Sequence, residues 1–426
     1  MRFCMVTTFY PPYNFGGDGI FVRELALALV RLGHEVRVIH CEDAFRLVSD
    51  APAPELPQQY DDNGVEVCRL KSRFGALSPL LTQQLGRPGL KAKQLSGLLD
   101  DGFDVINFHN ISLVGGPAVL AFGRAPVKLY TLHEHWLVCA THILWKNKVK
   151  RCDGRQCLRC CIRSGIPPQF WRYTGQMQRD LKEIDVLIAP SQFTADQHLQ
   201  FFPEVPTRIV PLFSRIQPPQ GNPANRRNGE RPLFVYSGRI TASKGVEPLL
   251  EQFARMTDYD LVLAGDGDAL GGLQERFAAC SNIEFAGRID EEALARLYAS
   301  ALALVFPSLA PETFGLTAVE AMACGTPAIV MDAGGCAEII ETTGAGFVYR
   351  QADELPGLLH RLVADPELQQ RLSHLAETGY KKYYTCQRYV EDYLALLAEI
   401  RERKSTGEAG DDLVNRRPQV VKGPAP

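Results

Sequence analysis

Twice in this chain a short apolar run stops at a glycine-bearing loop and passes into a helical stretch. The first run covers residues 3–8; the Pro/Gly-rich loop 11–19 follows, then an apolar-periodic segment over 20–32 that Gly33 closes. Residues 35–40 form the next apolar run. Strand, glycine loop, helix and strand in that order begin a parallel α/β sheet. Further strands are predicted at 65–70, 105–108, 127–131 and 186–189, and a helix from Ser191 towards Leu199. The rhythm then breaks at 215–232, where Pro218, Pro219, Gly221, Pro223 and Gly229 stand among polar residues, a linker composition. It restarts with strands at 233–238, 260–264, 282–285, 302–306 and 327–331 and helices at 246–256, 290–300 and 317–323. Two α/β domains follow, residues 1–214 and 233–385, with the ligand expected in a cleft between them at the carboxyl ends of the strands. A C-terminal helix at 386–404 is expected to return to the first domain, and the polar tail 405–426 to be disordered.

The length of 426 residues agrees with two or three domains at roughly 150 residues each. A net charge of −3 argues against a dedicated nucleic-acid binder, and no nucleic-acid partner is expected. No run approaches the ~18 apolar residues of a membrane span. The N-terminus has no basic region followed by an apolar block, so no signal peptide is expected and the protein is placed in the cytoplasm. Thiols in that compartment stay reduced.

Two constellations carry chemistry. After the strand at 233–238 come Gly238, Arg239, Lys244 and Gly245, where a glycine lets a ligand approach the backbone and two cations stand five positions apart. Paired cations suit a diphosphate leaving group. The plain alternative is a solvated basic loop. The second constellation runs from Glu312 through Phe314, Gly315 and Leu316 to Glu320. Two carboxylates eight residues apart would lie ~12 Å apart on one helix, too far to share a proton but suited to the two ends of a long ligand. The helix start offers free N–H groups to a phosphate. The alternative is an acidic first turn with a solvated Glu320.

Together these residues resemble the family-4 retaining glycosyltransferases of the GT-B architecture, which has two Rossmann-like domains. The match is to the E-x7-E signature Glu312 to Glu320 with Phe314-Gly315, and to the G-R-x4-K-G loop at 238–245. Leu263 to Gly267 and Phe285 to Ile289 fall where the family has β–α turns. Gly16, Gly17 and Gly19 resemble its N-terminal glycine loop. Thr131-Leu132-His133-Glu134 is similar to its T-L-H-D segment, with Glu in place of Asp.

The resemblance implies roles. Arg239 and Lys244 hold the diphosphate of a nucleotide-sugar, Glu312 the sugar hydroxyls and Glu320 the ribose. Backbone at Gly238, Phe314, Gly315 and Leu316 meets phosphate and sugar, and backbone at Arg288 and Ile289 meets the base. His133 lies near the donor sugar and Gly17 near the phosphates. Glu312, His133, Arg239 and Lys244 form the expected catalytic set, with no protein nucleophile, and the leaving diphosphate itself takes the acceptor's proton. Asp266-Gly267-Asp268 has the spacing of a metal motif but reads as a turn, and two cations make a divalent metal unnecessary for catalysis.

The implied reaction is retaining transfer from a UDP- or GDP-sugar to a glycan or lipid-linked acceptor in cell-surface polysaccharide or glycolipid assembly. Its rivals are a nucleotide-sugar epimerase on the same architecture and a non-catalytic nucleotide-sugar-binding regulator. Five of the twelve cysteines crowd into 139–161. Cys152, Cys157, Cys160 and Cys161 have the number for a structural zinc, though not the usual paired spacing. Surrounding cations would favour thiolates. A reduced or disulfide-linked loop stands equally open. Two segments, 69–93 and 146–163, are strongly basic, and the first interleaves leucines. Either contacts an anionic membrane at its inner face, or an anionic acceptor, or is a solvated face.

Overall fold

The computed structural model describes residues 1–406 apart from 15, 50, 53 and 220–230. The predicted disordered tail beyond 406 and most of the predicted linker lie outside the described residues. The chain forms two compact units. Among the described residues, unit 1 gathers Met1–His142, Gln156–Val210 and 386–406; unit 2 gathers Ile143–Arg155 and Pro211–Thr385.

Unit 1 is built on strands β1 (Arg2–Val6), β2 (Glu35–Cys41), β3 (Gln59–Asp62), β4 (Val65–Leu70), β5 (Val105–Phe108) and β6 (Val127–Thr131). Within the Cys-rich insertion, in the stretch that belongs to unit 2, β7 (Trp145–Lys146) and β8 (Lys150–Arg151) pair as a small antiparallel hairpin. Strands β9 (Val186–Ala189) and β10 (Thr207–Ile209) complete an eight-stranded sheet ordered β10-β9-β6-β5-β1-β2-β4-β3. Every pairing is parallel except β3 with β4. Strands β5, β6 and β9 are buried along their whole length, as parallel strands covered on both faces must be. The short edge strand β3, half exposed and acidic, went unseen in the sequence because it lacks an apolar run.

Unit 2 holds β11 (Leu233–Ser237), β12 (Asp260–Ala264), β13 (Ile283–Gly287), β14 (Ala303–Phe306), β15 (Ala328–Met331) and β16 (Gly346–Tyr349). All pair in parallel in the order β13-β12-β11-β14-β15-β16. Its core joins Phe234, Tyr236, Leu249, Leu250, Phe253, Leu261 and Leu263 to Leu355, Leu359 and Leu368 of the later helices.

In each sheet the order reverses once, beside the first strand of the unit: between β1 and β5, and between β11 and β14. A ligand in such sheets usually binds at this reversal, outside the carboxyl ends of the strands. The expected C-terminal helix is present as Cys386–Thr406 and belongs to unit 1. Tyr393 on it packs on Phe3, ring centroids 6.3 Å apart, and accepts a hydrogen bond from Asn107 at 3.2 Å.

Candidate functional site

In unit 2 the two strands that flank the reversal carry the two predicted constellations. The loop after β11 crosses Gly238 and Arg239 to a single 3-10 turn, Ala242–Lys244. Gly265, φ +158°, lets the β12 loop come down on it: a Cβ there would stand 1.9 Å from the Gly238 carbonyl oxygen. Ile240 N–H then donates to Asp266 O at 2.9 Å. Asp266-Gly267-Asp268 is thus a packed turn. The loop after β14 is tied to the same place, since Leu309 and Ala310 N–H both donate to Ser243 O, at 3.0 and 2.9 Å.

These ties bring Lys244 Nζ to 2.6 Å from Glu312 Oε1, and Ser308 donates to the same oxygen. Glu312 is not on the helix. Its N–H donates to Ala333 O, and its carbonyl accepts from Gly335 N–H, each at 2.8 Å, a one-residue bridge that fixes the backbone. The helix begins only at Leu316, with Gly315 as its cap at φ +109°. A Cβ on Gly315 would meet Cys336 Cβ at 2.7 Å, so both conformation and space demand glycine. The continuous helix assumed for the two glutamates is therefore broken, and only Glu320 sits on it. Phe314 is buried, edge-on to Tyr384 at 5.8 Å.

Burial pushes the Glu320 carboxyl up to about 7, against a smaller lowering by Tyr298, whose hydroxyl donates to Oε2 at 3.2 Å. Tyr298 also meets Ser237 Oγ at the end of β11. Arg239 is exposed, its carbonyl accepting from Tyr236 Oη at 2.6 Å. Arg288 and Ile289 follow β13, the first exposed and the second half-buried. Three members of this site were missed: Ser308, Tyr298 and Thr317, whose hydroxyl is buried in the first turn of the helix without a partner. A fourth is Arg151. The hairpin carries its guanidinium to Leu309 O at 3.0 Å and Asp332 O at 2.7 Å, on either side of the Glu312 bridge.

Unit 1 repeats the arrangement with other chemistry. Gly17 opens the helix Gly17–Arg31 after β1. Asp18 in its first turn accepts from Asn110 Nδ2 at 3.0 Å, and Asn110 follows β5. Burial, then the neighbouring Glu134, raises the Asp18 carboxyl to about 6. His133, after β6, is not a lone histidine: its Nε2 lies 2.9 Å from Nδ1 of His109, and the rings stack at 5.2 Å. Burial lowers His133 to about 4 and His109 well below its ordinary value, so both are neutral near pH 7. His109 carried no motif. It is found only once β5 and β6 are known to be neighbours. Glu134, where the resembled family has Asp, lies 2.7 Å from His142 Nδ1.

The four cysteines suggested for zinc are not gathered. Cys152 lies in unit 2, whereas Cys157, Cys160 and Cys161 lie on the helix Cys157–Ser164 of unit 1. Among the described residues no group of three or more His, Cys, Asp or Glu is arranged to hold a metal ion. Adjacent helical positions such as 160 and 161 point ~100° apart. Nor is Cys161 a ready thiolate, since burial pushes it up to about 11. In the second basic segment Lys146, Lys150 and Arg151 are engaged within the protein, while Lys148, Arg155, Arg159 and Arg163 are exposed. Lys146 is buried and pairs with Asp153 at 2.6 Å, Lys150 pairs with the same carboxylate, and Arg151 is engaged as above.

Comparison with known proteins bears on both units. The family described as Glycosyltransferase Family 4 matches residues 15–213, and that described as Glycosyl transferases group 1 matches residues 221–379. An uncharacterized glycosyltransferase of Methanocaldococcus jannaschii is 26% identical over 90% of this chain and 94% of its own length. An MMP alpha-(1->4)-mannosyltransferase of Mycolicibacterium hassiacum is 27% identical over 84% and 88%. Among solved structures, sucrose-phosphate synthase from Thermosynechococcus elongatus superposes with a TM-score of 0.73 at 21% identity, covering 94% of this chain and 98% of that one. Anabaena HepE in complex with UDP and glucose gives 0.65 at 17% identity, covering 94% and 100%.

Proposed function

Because the chain belongs to the family-4 glycosyltransferases of GT-B fold, we propose that it moves a sugar, with retention of anomeric configuration, from a UDP- or GDP-sugar to a surface glycan or lipid-linked acceptor. The carrying observation is the pairing of Lys244 with Glu312 across the sheet reversal of unit 2, with Glu320 set back on the helix behind it. In the unliganded site the ammonium and carboxylate neutralise each other. A diphosphate entering beside Arg239 draws Lys244 to itself, and Glu312 turns to the sugar hydroxyls. Glu320 takes the ribose, where hydroxyl donors favour its ionised form over the neutral one that burial encourages. Cations on the leaving diphosphate stabilise charge that grows as the glycosidic bond breaks.

The relatives support the donor class. HepE was crystallised with UDP and glucose, and a relative from Mycobacterium tuberculosis, 31% identical over 42% of this chain, is a GDP-mannose-dependent mannosyltransferase. No step requires a divalent metal, and the protein needs no cofactor in this reading. Location in the cytoplasm, at the inner face of a membrane, belongs to the same proposal; no helix among the described residues is long and apolar enough to span one.

The test is thermal shift with UDP- and GDP-sugars, followed by product analysis. A stabilising donor that is consumed only with acceptor, giving an α-linked product from an α-donor, supports the reading. Consumption without acceptor to give an epimer, or stabilisation with no turnover across acceptors, refutes it.

A further inference from the structure

The helix Leu77–Leu85 of unit 1 is inverted. Its buried residues are Ser78, Pro79 and Thr82, while Leu77, Leu80 and Leu85 stand in water, exposed to 50%, 37% and 51%. A surface helix of a globular unit ordinarily turns its apolar stripe inward. Here the inward side includes a buried Ser78 hydroxyl without a partner, which costs stability, and the outward side leaves leucines hydrated, which gains none.

The leucines do not stand alone. Phe74 before the helix and Leu90 after it are exposed. The turn Phe170–Tyr173 packs beside the helix, anchored by the Trp171 indole N–H donating to Gln83 O at 2.8 Å, and presents Phe170 and Tyr173 to solvent. Contiguous exposed apolar surface of this kind marks an interaction site. Its rim is basic: Lys71, Arg73, Arg87 and Lys93 are exposed, and residues 71–93 contain no Asp or Glu. The acids that reach it from elsewhere are the buried Glu42, 3.3 Å from Lys71, the buried Asp43, which accepts from Ser72 N–H at 2.7 Å and also faces Lys71, and Asp180, near Arg87.

We propose that this face of unit 1 docks on a bilayer bearing anionic headgroups. The leucines, Phe74, Phe170 and Tyr173 enter the boundary between headgroups and acyl chains, and Arg73, Arg87 and Lys93 lie over lipid phosphates. The charge selects this occupant. A second copy would cover the leucines equally well, but a two-fold contact sets each patch against itself and brings like cations together. The proposal names the surface that serves the membrane-borne acceptor proposed above. It rests on that reading only for its purpose, since docking is measured without any sugar transfer and the two fail separately.

The experiment is co-sedimentation of the full chain with phosphatidylcholine vesicles, with and without phosphatidylglycerol. Wild type should sediment only with the anionic vesicles and be released by salt. The triple variant Leu77→Ser, Leu80→Ser, Leu85→Ser should bind about tenfold more weakly, with Tm unchanged because these side chains already face water. If that variant melts early, Arg73→Glu with Arg87→Glu and Lys93→Glu tests the same contact and should abolish the anionic-lipid requirement together with binding. No sedimentation of wild type, or equal sedimentation of well-folded variants, overturns the proposal. So does a wild-type dimer that the leucine variant converts to monomer without any vesicle binding, which would give the face to a second copy.

Discussion

The two units open their sheets at equivalent points and furnish them with opposite electrostatics. In unit 2 the loops after β11 and β14 bring a full positive and a full negative charge into contact, Lys244 and Glu312, each less than a fifth exposed. In unit 1 the loops around β5 and β6 gather two histidines that burial keeps neutral near pH 7, His109 and His133. A largely buried ion pair can be traded for a charged ligand where that ligand replaces the lost partner charge. Buried neutral groups cannot hold a charged ligand by Coulomb attraction, but they can position hydroxyls by hydrogen bonds without repelling phosphate. Under the proposed function, the contrast fits binding of the anion by unit 2 and orientation of an uncharged moiety by unit 1.

The strongest way to break that contrast is through the cations. Lys244→Ala and Arg239→Ala should each lower kcat/KM by ~2–4 kcal/mol, the scale of one lost electrostatic stabiliser, measured by steady-state kinetics. Near-normal turnover in both variants would remove unit 2 as the anion site. Glu312→Gln should mainly lower kcat, whereas Glu320→Gln should weaken the nucleoside diphosphate itself, read by calorimetry. Equal losses of affinity would show the division between sugar and ribose to be wrong.

A second test uses pH and gives opposite signs for Glu320 of unit 2 and His133 of unit 1. The raised folded value of Glu320 means the native state holds the proton longer than the unfolded chain, so this group's contribution to stability falls as pH rises from about 4.5 through about 7. Glu320→Gln should therefore gain on wild type between pH 5 and 8, by about 2 kcal/mol in chemical denaturation. His133 runs the other way. Its folded value is depressed to about 4, so stability is lost as pH falls from 6.5 towards 4. His133→Gln should be less acid-sensitive than wild type by about 1–2 kcal/mol. The same pH trend in both variants would dissolve the comparison.

The smallest effect sharpens it. Among the described residues the Arg151 guanidinium donates to two backbone carbonyls beside Glu312, which suits a positioning role in the proposed site. Arg151→Ala should cost about 1–2 kcal/mol in kcat/KM, with Arg151→Lys recovering part and nucleoside diphosphate affinity unmoved. A loss of affinity matching that of Lys244→Ala would make it a phosphate ligand instead.

Sequence legibility followed the same divide. Glycines forced by backbone geometry, such as Gly315 beside Cys336, leave a fixed mark in the chain, and the residues spaced from them, Glu312, Glu320, Arg239 and Lys244, could be found by counting. His109 could not, because it reaches His133 through strand order and not through spacing. Arg151 was hidden more deeply, since nothing in a Lys- and Arg-rich insertion says which cation will meet two carbonyls more than 150 residues away. The inverted Leu77–Leu85 helix misled in the other direction: periodic leucines signal an amphipathic helix without saying which side faces in.

The helix Cys386–Thr406 sets the order in which the chain can finish folding. It completes unit 1, where Tyr389 meets Phe21 edge-on at 5.0 Å and Tyr393 lies against Phe3. On the ribosome, every described residue of unit 2 precedes it, up to Thr385. The sheet synthesised first is therefore the last to close, and its open side stays exposed while the later unit matures. Nascent apolar surface of the early half is therefore what a holding chaperone would meet for longest.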